Sequence, residues 1–483
     1  MTIVKTNSLG FDAQALREKI LDLAMRGKLV PQDPNDEPAS VLLDKIKAEK
    51  AELIKEKKIK KTKSLPPITD DEKPFDIPDS WEWVRLGDVI NLVSGRDIPK
   101  KYHLSSKSLN SVPYITGASN INEDGQITIS EWIKDPSVLV KRGTLLLSVK
   151  GTVGKIAKLE IPEAHIARQI MGIENVYNLD LDFQKYFLES YIEKLKKKAK
   201  SMIPGVSRED ILLANIPVPP LSEQNRIAAK IAQLFALLRK VESSTQQYAE
   251  LQTLLKTKVL DLAMRGKLVK QDPNDEPASV LLEKIKAEKT ELVKEKKIKK
   301  SKPLPPITDE EKPFDIPDSW KWVRISDVLD VRDGTHDTPK YVADGIPLIT
   351  SKNISNGKLD FTNINFISKD DFEKINERSK VDKGDIIFAM IGTIGNPVLV
   401  DTDTKFGIKN VALLKHFTDK LNMDFILDYL LVLQVIWNSN ATGAVQKFVS
   451  LRKIRKSVLP LPPFKEQKKI VRKIDQIFRM IGE

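Results

Sequence analysis

The chain of 483 residues contains no cysteine. That excludes disulfides, thiolate zinc sites, iron–sulfur clusters and a cysteine nucleophile. Histidine is almost as scarce: His103, His165, His336 and His416 are the only four, too few for a histidine-rich metal site. Aromatic residues make up 6%. No apolar run approaches the roughly 18 residues of a membrane span. The first twenty residues, MTIVKTNSLGFDAQALREKI, lack the apolar core of a secretory signal. These absences lead us to expect a soluble intracellular protein with no membrane contact. What is present is 41% hydrophobic and 30% charged residues, enough to build real cores. The 79 basic side chains exceed the 67 acidic ones, for a formal charge of +12. A polyanion partner fits that balance, which concerns association and not fold.

An internal repeat decides the architecture. Leu21–Val89 recurs as Leu260–Val328 with ten differences in 69 positions. A second repeat, at a different offset, sets IPVPPLSEQ (Ile216–Gln224) against LPLPPFKEQ (Leu459–Gln467). The order is therefore arm, variable block, arm, variable block, partial arm. The C-terminus stops after one piece of the central arm, and the N-terminus starts just before the other. Side by side, the two ends would rebuild one central arm. A pseudo-two-fold molecule with neighbouring termini is expected.

From Ile227 the apolar residues of the central arm step by four and three: Ile227, Ile231, Leu234, Leu238, Val241, and in the same frame Leu255. The C-terminal copy keeps Ile470, Ile474 and Ile477. Such a seam suits helices pairing along their length. Ser222 is placed to cap the central helix and Gly266 to stop it. From Ser222 to Arg265 the helix would span roughly 66 Å at about 1.5 Å per residue. A second, Lys-rich helix follows each arm, from Ala39 to about Lys61 and from Ala278 to about Lys300. Residues 44–63 hold nine lysines and four acids, and residues 283–302 repeat that balance. A solvated face and a surface for phosphate or a partner subunit are both open readings. The Pro-rich LPPITDDEKPFDIPDS reads as an extended linker.

The blocks, Trp81–Pro220 and Trp320–Pro463, read as mixed α/β units. Each opens on a Trp-x-Trp-Val-Arg strand, continues through short β runs such as LLLSV and DIIFAM, and closes on a helix. They are distant copies. Gly143 precedes Gly151 by the eight residues that separate Gly384 from Gly392, and Arg168-Gln169 aligns with Lys409-Asn410 at the same offset. The shared glycines mark tight turns, whereas Lys150 and Lys155 stand against Ile391 and Asn396. A repeated scaffold with different loop side chains fits one task performed on two targets.

Arg, Lys, Asn, Gln, Ser and Thr on loops are the side chains that read base edges and grip phosphates. In the first block the candidates are Arg96, Lys100, Lys101, Tyr102, Thr116, Ser119, Asn120, Lys150, Thr152, Lys155, Arg168 and Gln169. In the second they are Arg332, His336, Lys340, Tyr341, Ser351, Lys352, Asn353, Thr393, Asn396, Lys409, Asn410, Gln446 and Lys447. For each alone, an ordinary exposed loop role is the competing reading.

Catalytic signals are weak. GTVGK (Gly151–Lys155) resembles a phosphate loop, but a Walker motif needs Gly where Val149 stands and Ser or Thr where Ile156 stands. A structural turn explains it better. Asp333-Gly-Thr-His-Asp337 has one His without evident partners, so a polar loop is preferred to a metal or general-base site. Asn396-Pro397-Val398 shares only its start with the Asn-Pro-Pro-Tyr signature of adenine methyltransferases and lacks the stacking aromatic. No catalytic residue and no metal site is expected.

In combination, FDIPDSWEWVRLGDV and FDIPDSWKWVRISDV, the two IPVPP-type stretches, LDLAMRGKLV twice and RDGTHDTPKY closely resemble the specificity (S, HsdS) subunits of type I restriction–modification systems. The resemblance spans nearly the whole chain. It implies an α+β fold: two mixed α/β target recognition domains joined by long antiparallel coiled-coil helices in a pseudo-two-fold circular arrangement. The expected division is an N-terminal helical arm (1–64), recognition domain 1 (65–220), a central helical spacer arm (221–303), recognition domain 2 (304–463) and a C-terminal helix (464–483). The resemblance implies a sequence-specific DNA-binding subunit without an active site. Its two domains would read a bipartite target in double-stranded DNA, with the helices as a ruler. Modification (methyltransferase) subunits and restriction (translocase/endonuclease) subunits would be its partners. S-adenosylmethionine, ATP and magnesium would sit on those partners and none on this chain. Cytoplasmic, nucleoid-associated localisation in a bacterium or archaeon follows. The alternatives are a stand-alone DNA methyltransferase or nuclease with divergent motifs, and a coiled-coil protein-binding scaffold.

Overall fold

A computed structural model describes residues 11–59, 64–177, 179–198, 205–300, 302–355, 357–390, 395–439 and 448–482. The chain divides into two units, Met1–Gln247 and Tyr248–Glu483. The boundary falls inside one helix, Leu221–Met264. Each unit contains the same parts.

In the first unit the helix Ala13–Met25 is capped by Asp12, whose carboxylate accepts from the Ala15 amide at 2.9 Å. It ends in a left-handed Gly27 (φ +66°), and the Lys28 amide donates back to Leu23 O at 2.9 Å. That backward bond satisfies a carbonyl the helix would leave open. The 44-residue helix ends in the same way, with Gly266 at φ +67° and Lys267 N donating to Leu262 O. Its start differs from expectation. The helix begins at Leu221, directly after two prolines, so Ser222 lies in the first turn and is not the cap.

The Lys-rich helices stop earlier than their composition suggests, at Ala39–Lys55 and Ala278–Lys294. Lys57 and Lys296 turn left-handed (φ 57° and 60°), and the next residues bond back to Leu53 and Leu292. The turn folds Ile59 and Ile298 back onto their units, where Ile298 is buried and Ile59 packs against the core. Burying an isoleucine outweighs extending a lysine helix into water. Along these segments many lysines pair with nearby acids, for example Lys45 with Glu37 (2.7 Å) and, in the second copy, Lys284 with Glu276 (2.6 Å).

Each block is entered and left through one two-stranded ribbon. Glu82–Arg85 pairs antiparallel with Asn215–Val218, and Lys321–Arg324 with Val458–Leu461. Beyond the ribbon lie two four-stranded sheets. In the first block one runs Asn91–Ser94, Ile170–Glu174, Leu145–Ser148, Ile156–Lys158, all antiparallel. The other runs Glu131–Ile133, Val112–Ile115, Glu163–Ile166, Leu139–Lys141, and its middle pair is parallel. The second block repeats the first sheet as Asp330–Asp333, Val411–Lys415, Ile386–Ala389, Gly395–Leu399, all antiparallel. Its other sheet runs Tyr341–Val342, Asn365–Ile367, Ile346–Ile349, Gly407–Ile408, so that the parallel pair, Ile346–Ile349 with Gly407–Ile408, lies at the edge.

Alternation along single strands divides the cores. Leu145 and Leu147 face a core shared with the arms, and Leu146 faces a core between the two sheets. Ile386 and Phe388, against Ile387, do the same in the second block, as the two-residue period of a strand requires. The arm-side core contains Leu21, Met25, Leu43 and Ile46 of the helices together with Trp81, Phe183 and Ile216 of the block. Arm and block, separate segments in sequence, thus share one core.

The helix seam is buried only at its ends. Ile227, Ile231 and Leu238 are buried and Leu234 half-buried in the first unit, and Ile470 and Ile474 are buried with Ile477 packed beside them in the second. Val241 and Leu255, expected in the same seam, are each 44% exposed. The cause is length. Within their units, Ala13–Met25 and Phe464–Met480 are short helices that leave the middle of the long one uncovered.

Candidate nucleic-acid interface

Some of the candidate loops of each block are brought together by backbone hydrogen bonds at one end of its sheets. In the first block Gly95 N donates to Ile170 O, Arg96 N to Ile166 O, Ala167 N to Ile115 O and Val149 N to Gln169 O, all within 3.2 Å. A Cβ on Gly95 would stand 2.1 Å from Ala167 O, and one on Gly117 would stand 2.6 Å from Gln169 Oε1. At Gly95 the obstacle is backbone, so only glycine lets these loops lie so close, whereas at Gly117 it is the end of the flexible Gln169 side chain. The result groups Arg96, Gly117, Lys150, Arg168 and Gln169. In the second block Gly334 N donates to Val411 O, Thr335 N to Ile408 O and Lys409 N to Ile349 O. There the strand register sets Lys409 at the position of Ala167, where the constant offset would put Ile408. The Arg168–Gln169 turn is therefore one residue longer than its counterpart, and the constant-offset alignment slips here.

Arg96, Lys100, Lys101, Tyr102, Ser119, Lys150, Thr152, Arg168 and Gln169 are exposed, as are His336, Lys340, Tyr341 and Lys352. Arg96, Lys100, Lys150, Lys340 and Lys352 meet no carboxylate partner among the described residues. Lys101 lies over the ring of Tyr102, 4.9 Å from its centroid. Arg168 pairs with Asp97 at 2.6 Å, and Lys409 donates to Thr338 Oγ1.

Other candidates serve the loops themselves. Asn120 is buried; its Oδ1 accepts from Thr116 N, Thr116 Oγ1 and Gly117 N, and its Nδ2 donates to Thr128 O at 2.9 Å. Asn353 does the same for Thr350 and for the carbonyls of Asp360 and Asn363, with Ser351 half-buried in the turn it closes. Both asparagines are loop-shaping groups turned inward, which corrects their reading as DNA contacts. Lys155 donates to Ile121 O at 2.9 Å and pairs with Glu123 at 2.9 Å. Arg332 pairs with Asp330 at 2.7 Å. Both cations are spent within the protein. Asn396 is half-buried with φ 46°, its amide donating to Gln434 Oε1. Thr393, Gln446 and Lys447 lie outside the described residues.

Sequence reasoning missed the groups that brace this surface. His165 is fully buried; its ring lies 2.8 Å from Arg96 O and accepts from Val138 N, and burial holds its pKa down. Arg208 donates to Leu92 O at 2.7 Å, and Arg455 donates to the matching Val331 O at 2.6 Å. Asp333, buried, accepts from Arg378 (2.7 Å) and faces His336 (3.0 Å). Beneath each block is a latch. The indole of Trp81 donates to Glu223 at 2.9 Å, and Gln32 donates to the same carboxylate at 2.6 Å. Trp320, Gln271 and Glu466 repeat it at 3.0 and 2.6 Å. Burial pushes both carboxyls above their usual range. Only the repeat of Glu-Gln in both copies signalled this. Among the described residues no cluster of His, Asp and Glu could hold a metal ion, and no helix is long and apolar enough to cross a membrane.

Two copies of one loop platform, differing in side chains, agree with what known proteins show. Residues 78–253 and 317–482 each match the type I restriction modification DNA specificity domain. The chain belongs to the type I restriction–modification specificity subunit family. It is 31% identical to the type I restriction enzyme EcoAI specificity subunit of Escherichia coli, over 97% of this chain and 89% of that one. It is 35% identical to the EcoEI specificity subunit of the same organism, over 66% of this chain and 62% of that one. A chain from a structural study of assembly and conformational transition in the type I R-M system shares the fold, with TM-score 0.58 at 22% identity over 85% of this chain and 93% of that one. In this specificity subunit the two matched segments correspond to the two blocks together with most of the helix that follows the first and all of the helix that follows the second.

Proposed function

We propose that this specificity subunit reads a bipartite DNA target, one half-site with each block. The observation that carries this reading is the duplicated platform, on which exposed cations such as Arg96, Lys150 and Lys352 meet no carboxylate among the described residues while many arm lysines are paired. Unpaired Lys and Arg on converging loops supply phosphate attraction, and the amides and hydroxyls among them supply base-edge contacts. The long helix acts as the ruler between half-sites, and the uncovered middle of the seam suits docking of modification subunits. Those subunits would carry S-adenosylmethionine and methylate adenine. Restriction subunits would add ATP- and magnesium-dependent translocation and cleavage, within the cytoplasm and on the nucleoid. The specificity subunit itself catalyses nothing.

Methylome sequencing of a host carrying this subunit and its modification partner tests the reading. A split motif is expected, and exchange of residues 81–220 for the block of a relative should change one half only. A continuous motif would overturn the bipartite reading. Purified chain incubated with DNA and S-adenosylmethionine alone should transfer no methyl group; transfer would restore the stand-alone enzyme.

A further inference from the structure

Asp333 is the best-held polar group on the second platform. It ends the strand Asp330–Asp333, its side chain is 10% exposed, and its two oxygens serve two different elements. Oδ1 accepts from Arg378 Nη2 at 2.7 Å, at the end of the helix Lys369–Ser379. Oδ2 lies 3.0 Å from His336 Nε2. A buried carboxylate fixed by a guanidinium keeps a proton on the imidazole nitrogen that faces it, and so sets the ring's orientation. The other ring nitrogen, Nδ1, lies 3.3 Å from Oδ1 of Asn410.

Asn410 is itself held from behind. Its backbone is left-handed (φ 57°), and its amide donates to Thr335 O at 3.2 Å. Asparagine tolerates that conformation far better than most residues. A carboxamide has a donor end and an acceptor end. Whichever end meets His336, the other end of the half-buried amide remains for a ligand. Each end can also make a second hydrogen bond, so the amide can still meet the N6/N7 edge of adenine in the major groove with its oxygen on N6 and an N–H on N7.

We infer that Asn410 reads one base of the half-site taken by the second block, and that His336, Asp333 and Arg378 are positioning residues that hold its amide. The inference rests on the DNA-reading role proposed above. It names two residues, Asp333 and Arg378, that touch no base. The first block builds its platform without this relay, since its corresponding turn carries Arg96 and the Arg168–Asp97 pair.

The test uses the full chain assembled with its modification subunits, reading both the methylated motif and binding to duplexes varied one base at a time. Asn410→Gly keeps the left-handed backbone and removes the amide. It should lower discrimination at one position of the second half-site roughly ten- to hundredfold and leave the first half-site intact. Asn410→Asp removes the donor end and should shift preference at that position toward cytosine, whose N4 amine is donated to carboxylates. Asp333→Asn and Arg378→Ala should weaken discrimination at the same position, and Arg378→Lys should restore part of it. A merely structural loss would weaken all duplexes equally and leave the ratio between bases unchanged, which would overturn the inference. So would an unaltered motif in Asn410→Gly. Wild-type protein that binds all duplexes alike would instead overturn the DNA-reading role itself.

Discussion

At the scale of single residues, the charged groups that matter most to this fold are those whose partners are duplicated. Arg85 and Arg324 reach back from the entry strands to Glu72 and Glu311, each within 2.9 Å. Hydrogen bonds from Arg324 and the Thr308 amide hold Glu311 down to about 2. A carboxyl lowered in the folded state stabilises above its unfolded value and loses that contribution as pH falls toward the folded one. Wild-type protein should therefore lose more stability than Glu311→Gln between about pH 4.5 and pH 2, as followed by circular dichroism. Glu223 and Glu466 are shifted the other way by burial, so the carboxylate form weighs against the fold as pH rises through their raised values. Trp81→Phe removes a donor from a carboxyl already short of water. It should cost about 1–3 kcal/mol in chemical denaturation, and Trp320→Phe should do the same for the second unit. None of this pairing was legible from composition. Asn120 and Asn353 show why: an asparagine on a loop serves equally to face a ligand or to tie its own turn, and only its burial in the folded chain decides.

At the scale of elements, the sequence announced where helices stop whenever glycine was the signal. Gly27 and Gly266 sit where left-handed backbone is needed, and a Cβ at Gly266 would stand 2.4 Å from Pro317 Cγ. Gly266→Ala should destabilise the second unit by about 1–3 kcal/mol, read from denaturant midpoints. The stops at Lys57 and Lys296 were illegible because lysine is a good helix former and a poor left-handed residue. Tertiary burial of Ile59 and Ile298 imposes them. Lys57→Gly and Lys296→Gly should accordingly raise stability by up to about 1 kcal/mol in the same measurement. The apolar seam was read correctly as a helix period but overextended as a buried surface. Periodicity states which residues share a face, and the length of the neighbouring helix determines how many of them are covered.

At the scale of the whole molecule, the repeat made the two-unit organisation legible without any structure, because near-identical text must fold alike. What the repeat could not convey was that arms and blocks share a core, since that depends on the alternate faces of single strands such as Leu145–Ser148. If the long helix is a ruler, four residues inserted between Val241 and Leu255 should change the number of base pairs between half-sites and leave both half-site sequences as they were. Methylome sequencing reads both at once, and altered half-sites with an unchanged gap would sink the ruler.

The ribbon at the base of each block has a consequence for how such proteins diversify. Glu82 faces Val218 and Lys321 faces Leu461 across one pair of strands, so the chain leaves the scaffold and returns to it at the same place. A block is thus a plug seated in a socket of two strands and a buried Trp–Glu clasp. Loop-closure entropy grows only with the logarithm of the inserted length, so a plug of different size or sequence places little extra demand on the socket. New specificities can be fitted to the same frame as long as the new plug keeps the apolar side chains, such as Leu145, Leu147 and Phe183, that share a core with the arms.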